Sequence, residues 1–321
     1  VIRTLLCVAA LFLSATSANA QDWPSRPITI TMGFPPGSGT DVVARTLQPM
    51  LDKALGQRIV IDYKAGAGGN VASDVVANAK PDGYSFLLGT AGTHGINAAL
   101  YKKLSFDVES DFTPVSTLVD VSNVLMINQK AIDAKDVKEF IAKVKANPGK
   151  YNYASTGNGA GTHLAFAEFN AKAGLDMVHV PYKGSPDAVQ SVLNGDTCCL
   201  FAQVQIAIPQ AAAGKAKLLG VSTRQRVPAI PDVPTIDEAG LPGFESYTWF
   251  GLFGPKGLDP AIAQKMNLAI KAALADPDVQ KKLIELGNTP RYETVEQFKA
   301  TVHRDRQKWA EVVKSVGATV E

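Results

Sequence analysis

Short apolar runs alternate along the chain with segments whose apolar residues recur every three or four positions. Residues 28–32 (ITITM) predict a strand. From Thr40 onward, Ala44, Leu47, Leu51 and Ala54 keep a helical spacing up to Gly56. Ser38 is placed to cap this helix, with Asp41 three positions on as the acidic partner, and Pro49 predicts a kink. Residues 58–61 predict a second strand, followed by a glycine-rich turn and a helix through Val71, Val75, Val76 and Ala79. Further strands are expected at 85–88, 124–127, 151–154, 177–180, 198–201 and 218–221. Between them, Asp133 is placed to cap a helix whose apolar face is Val137, Phe140, Ile141 and Val144. Thr162 is placed to cap a helix beginning at Leu164, and Ser185 to cap one whose first residue is Pro186 and which Gly195 closes. Residues 247–253 read as a strand returning the chain to its first half. Three capped helices follow, opened by Asp259-Pro260, by Asp276-Pro277 and by the capping box of Thr294 and Gln297.

This rhythm predicts an α/β protein with parallel or mixed sheets covered by helices. A chain of 321 residues suits two such domains. Lys and Arg total 32 against 30 Asp and Glu, a net charge of +2 without basic runs. That balance excludes a protein held to nucleic acid mainly by phosphate contacts. Arg3, the apolar run at 5–13 and the small-residue site Ala18-Asn19-Ala20 read as a secretory signal (residues 1–20) cleaved after Ala20. The run is shorter than the roughly 20 apolar residues of a membrane span. Its removal takes Arg3 and Cys7 away and leaves only Cys198 and Cys199. The expectation is a soluble, exported, low-cysteine chain in a bacterial periplasm. The cysteine pair reads as two small buried residues rather than a strained ring, and no histidine stands near it to complete a metal site.

Three loops share one design, in which a strand ends, small residues follow and a helix begins: 33–41, 89–94 and 155–163. In open α/β sheets ligands sit beyond the carboxyl ends of strands, where helix starts offer free N–H groups and positive partial charge. Ser38, Thr40, Thr90, Thr93, Ser155, Thr156, Thr162 and His163 can add side-chain contacts to a carboxylate. Any one such loop can also be an ordinary turn with a cap. Residues 37–40 lack the lysine of a Walker loop, and no dinucleotide fingerprint with its acidic partner is present. No G-x-S-x-G elbow occurs, and neither His94 nor His163 has a glutamate at metal-motif spacing. The reading is a binding protein without cofactor or metal rather than an enzyme, with a triad scattered along the chain as the open alternative. His179 is expected to make a structural hydrogen bond, and His303 to lie near the surface.

A series of motifs, in this order, resembles one known family. They are Pro24-Ser25-Arg26-Pro27-Ile28, Phe34-Pro35-Pro36-Gly37-Ser38-Gly39-Thr40-Asp41 and Gly66-Ala67-Gly68-Gly69-Asn70. Pro81-Asp82-Gly83-Tyr84, Asn97-Ala98-Ala99-Leu100-Tyr101 and Asp111-Phe112-Thr113-Pro114-Val115 follow. His179-Val180-Pro181-Tyr182-Lys183-Gly184, Arg226, Pro231-Asp232-Val233-Pro234-Thr235 and Glu238-Ala239-Gly240 complete the series. Together they resemble the extracytoplasmic solute-binding receptors of tripartite tricarboxylate transporters, the Bordetella uptake gene type. The resemblance spans essentially the whole mature chain.

It implies a two-domain periplasmic binding protein of the Venus-flytrap, type II-like kind, with the ligand cleft between domains. It assigns 21–123 plus 246–321 to a discontinuous first domain and 124–245 to the second. The implied ligand is a small organic carboxylate or dicarboxylate held by amides, hydroxyls and waters. The implied partners are one large and one small integral membrane subunit, with a monomeric receptor. Presentation of the ligand to a membrane sensor is the alternative role. Carried onto this chain, one carboxylate loop is Phe34, Pro36, Gly37, Ser38, Gly39, Thr40 and Asp41. The opposed loop holds Ser155, Thr156, Gly157, Gly161, Thr162 and His163. Thr90, Thr93, His94, Ala202 and Gln203 complete the cleft. Lys183 either attracts the anion or shapes the next helix, and Phe34 either stacks on the ligand or plugs its loop. Ser38 stands where the family usually has glycine, and Cys198 where it often has aspartate. Ala202-Gln203 replaces a stretch that is acidic in amino-acid-binding relatives, which argues against an amino-acid ligand.

Overall fold

The computed structural model describes residues 23–316. The export-signal reading, with Arg3, Cys7 and cleavage after Ala20, lies outside the described residues, as do positions 317–321.

The first strands are β1 (Ile28–Met32), β2 (Ile59–Tyr63) and β3 (Ser85–Thr90). They are linked by α1 (Gly39–Leu55), then by a tight turn and α2 (Asn70–Ala77). A π-helical turn (Gly92–Ile96) and α3 (Asn97–Leu100) lead to β4 (Phe112–Ile127). The middle of the chain is α4 (Val137–Lys145), β5 (Asn152–Ser155), α5 (Gly161–Ala173), β6 (Val178–Pro181) and α6 (Ser185–Asn194). It continues with β7 (Cys199–Gln203), α7 (Val204–Ala212) and β8 (Lys217–Val221). β9 (Tyr247–Pro255), α8 (Pro260–Ala275), α9 (Pro277–Glu285), β10 (Asn288–Pro290) and α10 (Val295–Val316) complete it.

β4 is the spine of two half-sheets. Its first part, Phe112 to Ser122, pairs antiparallel with β9, and β10 takes its other edge. Beyond β9 lie β3, β1 and β2, the last three parallel. From Asn123 onward β4 pairs instead with β7 and β8, and β7 leads to β5 and β6 in parallel. Successive side chains point to opposite faces of a strand, so each half-sheet buries two cores. Leu125, Ile127, Cys199 and Phe201 face one core with α4 and α5. Val124, Met126, Leu200 and Ala202 face another with α6. In the first half, Phe86 and Leu88 pack with α1 and α8, while Leu87 packs with Trp249, Phe253 and Phe298 on the other side.

Several expectations need correction. Only the end of β4 was expected as strand; Ser116, Thr117, Asp120 and Ser122 break the apolar pattern, and bulges shift its register near Pro114 and Thr117. α7 and β10 were not foreseen, the former carrying Pro209 inside it. The inward face of α2 is Ala72, Ser73 and Val76, whereas Val71 and Val75 are exposed. The backbone of Gly33 packs so closely on Gly69, the residue before α2, that a Cβ on Gly33 would lie 2.5 Å from Gly69 Cα. Pro49 lies on the exposed side of α1, which continues to Leu55. Asp136, not Asp133, caps α4 by accepting from Glu139 N–H. Cys198 and Cys199 are buried free thiols with Sγ atoms 3.4 Å apart.

Candidate functional site

Four helix starts meet around one small chamber between the two half-sheets. α1 arrives with Ser38, Gly39 and Thr40, α5 with Ala160, Gly161 and Thr162, α6 with Ser185, and α7 with its preceding residue Gln203. Phe34, Thr90, Thr156, Thr248 and Phe250 close the wall. The chamber has a volume of about 20 Å³, room for about one water. Gly39 lets the halves touch: a Cβ there would lie 2.1 Å from Gln203 Oε1.

These four starts share one property, which the short helices α2 and α3 also have. None of α1, α5, α6 and α7 has a side-chain cap. By contrast, α4, α8 and α9 are capped by Asp136, Asp259 and Asp276, and Thr294 Oγ1 accepts from Gln297 N–H at the start of α10. The first N–H groups of a helix have no intrahelical acceptor, so an uncapped start offers them to a ligand together with the positive end of the helix dipole. Among the described residues no charged side chain lines the chamber. Its polar lining consists of buried hydroxyls and one amide, which suits an anion held by neutral donors.

Sequence reasoning named Phe34, Ser38, Gly39, Thr40, Thr90, Thr156, Gly161, Thr162 and Gln203, and all of these line the chamber. The capping roles change, however. Ser38 Oγ pairs with Thr40 Oγ1 (3.0 Å) rather than with the helix backbone. Thr162 lies inside α5, where its Oγ1 accepts from Thr156 N–H (3.0 Å) and fixes the opposed loop. Ser185 is the first residue of α6, after Gly184 as N-cap.

Other named residues brace the loops from outside. Asp41 accepts from Gly37 N–H (2.8 Å), Arg45 Nε (2.8 Å) and the Tyr63 hydroxyl (2.6 Å), so its carboxylate is consumed within its own loop. Gly37 takes a positive φ at the exposed edge of that loop, next to exposed Pro36. Thr93 Oγ1 accepts from Thr90 N–H (2.9 Å) while Thr90 Oγ1 accepts from Thr93 N–H (3.2 Å), which locks the end of β3. His94 is fully buried, stacked on Phe253 at 3.8 Å, and burial pushes its pKa down to about 3. Ala202 is buried in the core under α6.

His163 Nδ1 accepts from Gly159 N–H (3.2 Å), and His179 Nε2 meets Ser155 Oγ at 2.6 Å. The two imidazoles stack at 3.9 Å and hold both ends of the 155–163 loop. Burial lowers His163 to about 4, and burial with the neighbouring ring lowers His179 to about 3, so both are neutral at pH 7. His303 is exposed and meets Glu109 at 3.0 Å.

Gly157 and Lys183 line a different space, an outer groove of about 680 Å³ that shares Phe34 and Thr156 with the chamber. The groove is larger but open to solvent and edged by exposed Asp187, Asp196 and Lys183. The groove has room for a small acid, whereas the chamber in this arrangement has room for about one water. Sequence reasoning missed Ala160, Ser185, Thr248 and Phe250 as lining residues. The last two belong to β9, whose approach to the chamber is a long-range pairing with no local signal. Among the described residues no cluster able to hold a metal ion occurs, and no helix is long and apolar enough to cross a membrane.

Comparison with known proteins supports the same kind of molecule. The family model "Tripartite tricarboxylate transporter family receptor" matches residues 43–318. Protein BugT of Bordetella pertussis is 33% identical over 323 residues, covering 99% of this chain and 98% of that protein. The structure of Rpa4515 from R. palustris with adipate superposes with a TM-score of 0.90 at 32% identity, covering 93% of this chain and 100% of the other. MatC from Rhodopseudomonas palustris, with bound malate, gives a TM-score of 0.85 at 34% identity, covering 91% and 100%. The fold is that of a two-domain periplasmic binding protein, and such proteins are receptors rather than enzymes. With most of its length matched by the family model, the chain belongs to the tripartite tricarboxylate transporter receptor family.

Proposed function

We propose that this protein captures a small organic carboxylate or dicarboxylate in the periplasm and delivers it to one large and one small integral membrane subunit for uptake. The observation that carries the reading is the meeting of four uncapped helix starts at one enclosed chamber free of charged side chains. Charge-assisted bonds from amides and hydroxyls would hold the carboxylate, and closure would exclude water and strengthen them. The ligand would thereby bias the two halves toward the closed arrangement. Adipate and malate in the relatives' structures support a carboxylate ligand.

The binding residues on this reading are Phe34, Ser38, Gly39, Thr40, Thr90, Thr156, Gly161, Thr162 and Gln203, joined by Ser185, Thr248 and Phe250. The receptor acts as a monomer after removal of residues 1–20. Its first domain is 21–123 plus 246–321 and its second 124–245. The change of partners along β4 at Asn123 and the return of the chain through β9 support that division. Calorimetry over mono-, di- and tricarboxylates and aromatic acids tests the function. Saturable one-to-one binding of a carboxylate is expected. Failure of every acid, with binding of sugars or cations instead, would overturn it.

A further inference from the structure

At the chamber wall stands Thr248, and behind it are two polar side chains, Asn123 and Gln205, to which the carboxylate reading gives no task. The ladder sets Asn123 of β4 opposite Gln203 of β7, and Val121 of β4 opposite Thr248 of β9. Opposed residues, and residues two apart on a strand, share a face. Asn123, Gln203 and Thr248 therefore stand on one side of the sheet, and Gln203 and Thr248 line the chamber there. Gln205, in the first turn of α7, joins them: a Cβ on Gly39 would lie 2.7 Å from Gln205 Nε2.

Both amide atoms of Asn123, both of Gln205 and the Thr248 hydroxyl are buried without a hydrogen-bond partner among the described residues. The three residues are 1%, 6% and 5% exposed. Folded proteins keep few such groups, because each one left dry has lost water without a replacement. Their concentration beside a ligand chamber points to an incoming polar atom. The cluster is neutral, and no carboxylate lines the chamber to receive an ammonium. An amide offers a donor and an acceptor together; among substituents on the second carbon of an acid, a hydroxyl satisfies both ends, an oxo group the donor alone and an ammonium the acceptor alone.

We propose that Asn123, Gln205 and Thr248 form a second subsite that recognises a hydroxyl on the carbon chain of the bound acid, making hydroxy acids the preferred ligand class. The proposal rests on the carboxylate reading of the chamber. Closure completes the subsite, since Gln205 comes from one half of the molecule and Gly39 from the other. A site built to hydrogen-bond a hydroxyl discriminates strongly against the analogue without it.

The test is calorimetry on the full mature chain with two matched series differing only at the second carbon. The first is propionate, lactate, pyruvate and alanine; the second is succinate, malate, oxaloacetate and aspartate. The hydroxy member is expected to bind at least about tenfold tighter than the unsubstituted one, with the oxo acid between them and the amino acid weakest. Gln205→Met and Thr248→Val should each cut that preference to below about threefold while leaving the melting temperature unchanged or higher, since each removes an unpartnered polar group. Equal binding of hydroxy and unsubstituted acids, tightest binding of the amino acid, or a preference that survives both substitutions would overturn the subsite. Binding of none of the eight acids would overturn it too. The wider carboxylate screen then decides separately whether the reading of the chamber stands.

Discussion

Residues of one type serve opposite purposes depending on where their polar atoms point. Asp41 lies in a loop that faces the chamber, yet its oxygens are taken by Gly37, Arg45 and Tyr63, and it holds the loop rather than a ligand. Thr162 touches the chamber and also fixes Thr156 through its hydroxyl. The buried histidines make a measurable contribution. His94, His163 and His179 bind a proton less readily when folded, at about 3, 4 and 3, than the ordinary 6.5. As pH falls below about 6.5 the unfolded chain takes up protons first, so their contribution to stability is full above that pH and is lost on the way toward pH 4 and 3. Each costs up to about 1.4 kcal/mol per pH unit in that window. Urea midpoints at pH 7 and pH 5 check this, with a lower midpoint expected at pH 5. An unchanged midpoint would mean that the rings are solvated.

At the scale of elements, the chamber helices contrast with three helices capped by aspartate, although α2 and α3 also start without a side-chain cap. Asp136, Asp259 and Asp276 cap helices that start away from the chamber. Ser38, Ala160, Gly184 and Gln203 precede helices that start at it and provide no side-chain cap. Asp276→Ala should therefore cost about 1 kcal/mol of stability, as loss of an N-cap does, and leave ligand affinity unchanged. Ser38→Ala should do the reverse, weakening the ligand severalfold at little cost in stability. Paired denaturation and calorimetry distinguish the two, and a stability loss in Ser38→Ala equal to that of Asp276→Ala would count against the division. The Asp-Pro starts of α8 and α9 were legible in the sequence because cap and first turn are neighbours in the chain. Ser38 does occupy the N-cap position the sequence assigned it, but its hydroxyl pairs with Thr40 rather than with the helix backbone, a choice that local sequence does not reveal.

The whole molecule depends on contacts between halves that are distant in sequence. Gly68 has φ +62°, and a Cβ there would lie 2.3 Å from Asn158 O, the carbonyl that also accepts from the Tyr101 hydroxyl at 3.1 Å. A backbone oxygen cannot swing aside as a flexible side chain can. Gly68→Ala is expected to hold the cleft ajar, weakening ligand binding at least about tenfold by depleting the closed population. X-ray scattering with saturating ligand should show a larger radius of gyration than the parent chain. Equal compactness and affinity would place the closing contact elsewhere.

The amino-acid sequence by itself determined the alternation of strand and helix, the small-residue loops ahead of α1 and α5, and the absence of any strong catalytic motif. These are local properties, set by periodicity and by the conformations that glycine, proline and capping residues favour. The tertiary structure alone decided that β4 runs through both half-sheets, because its polar positions conceal the pattern until β9, β7 and β10 cover them. It also decided that Thr248 and Phe250 reach the chamber and that the Asn123 and Gln205 amides are buried without a hydrogen-bond partner among the described residues. Those facts depend on pairings across long stretches of chain, and on which neighbour each polar atom finds after the halves meet.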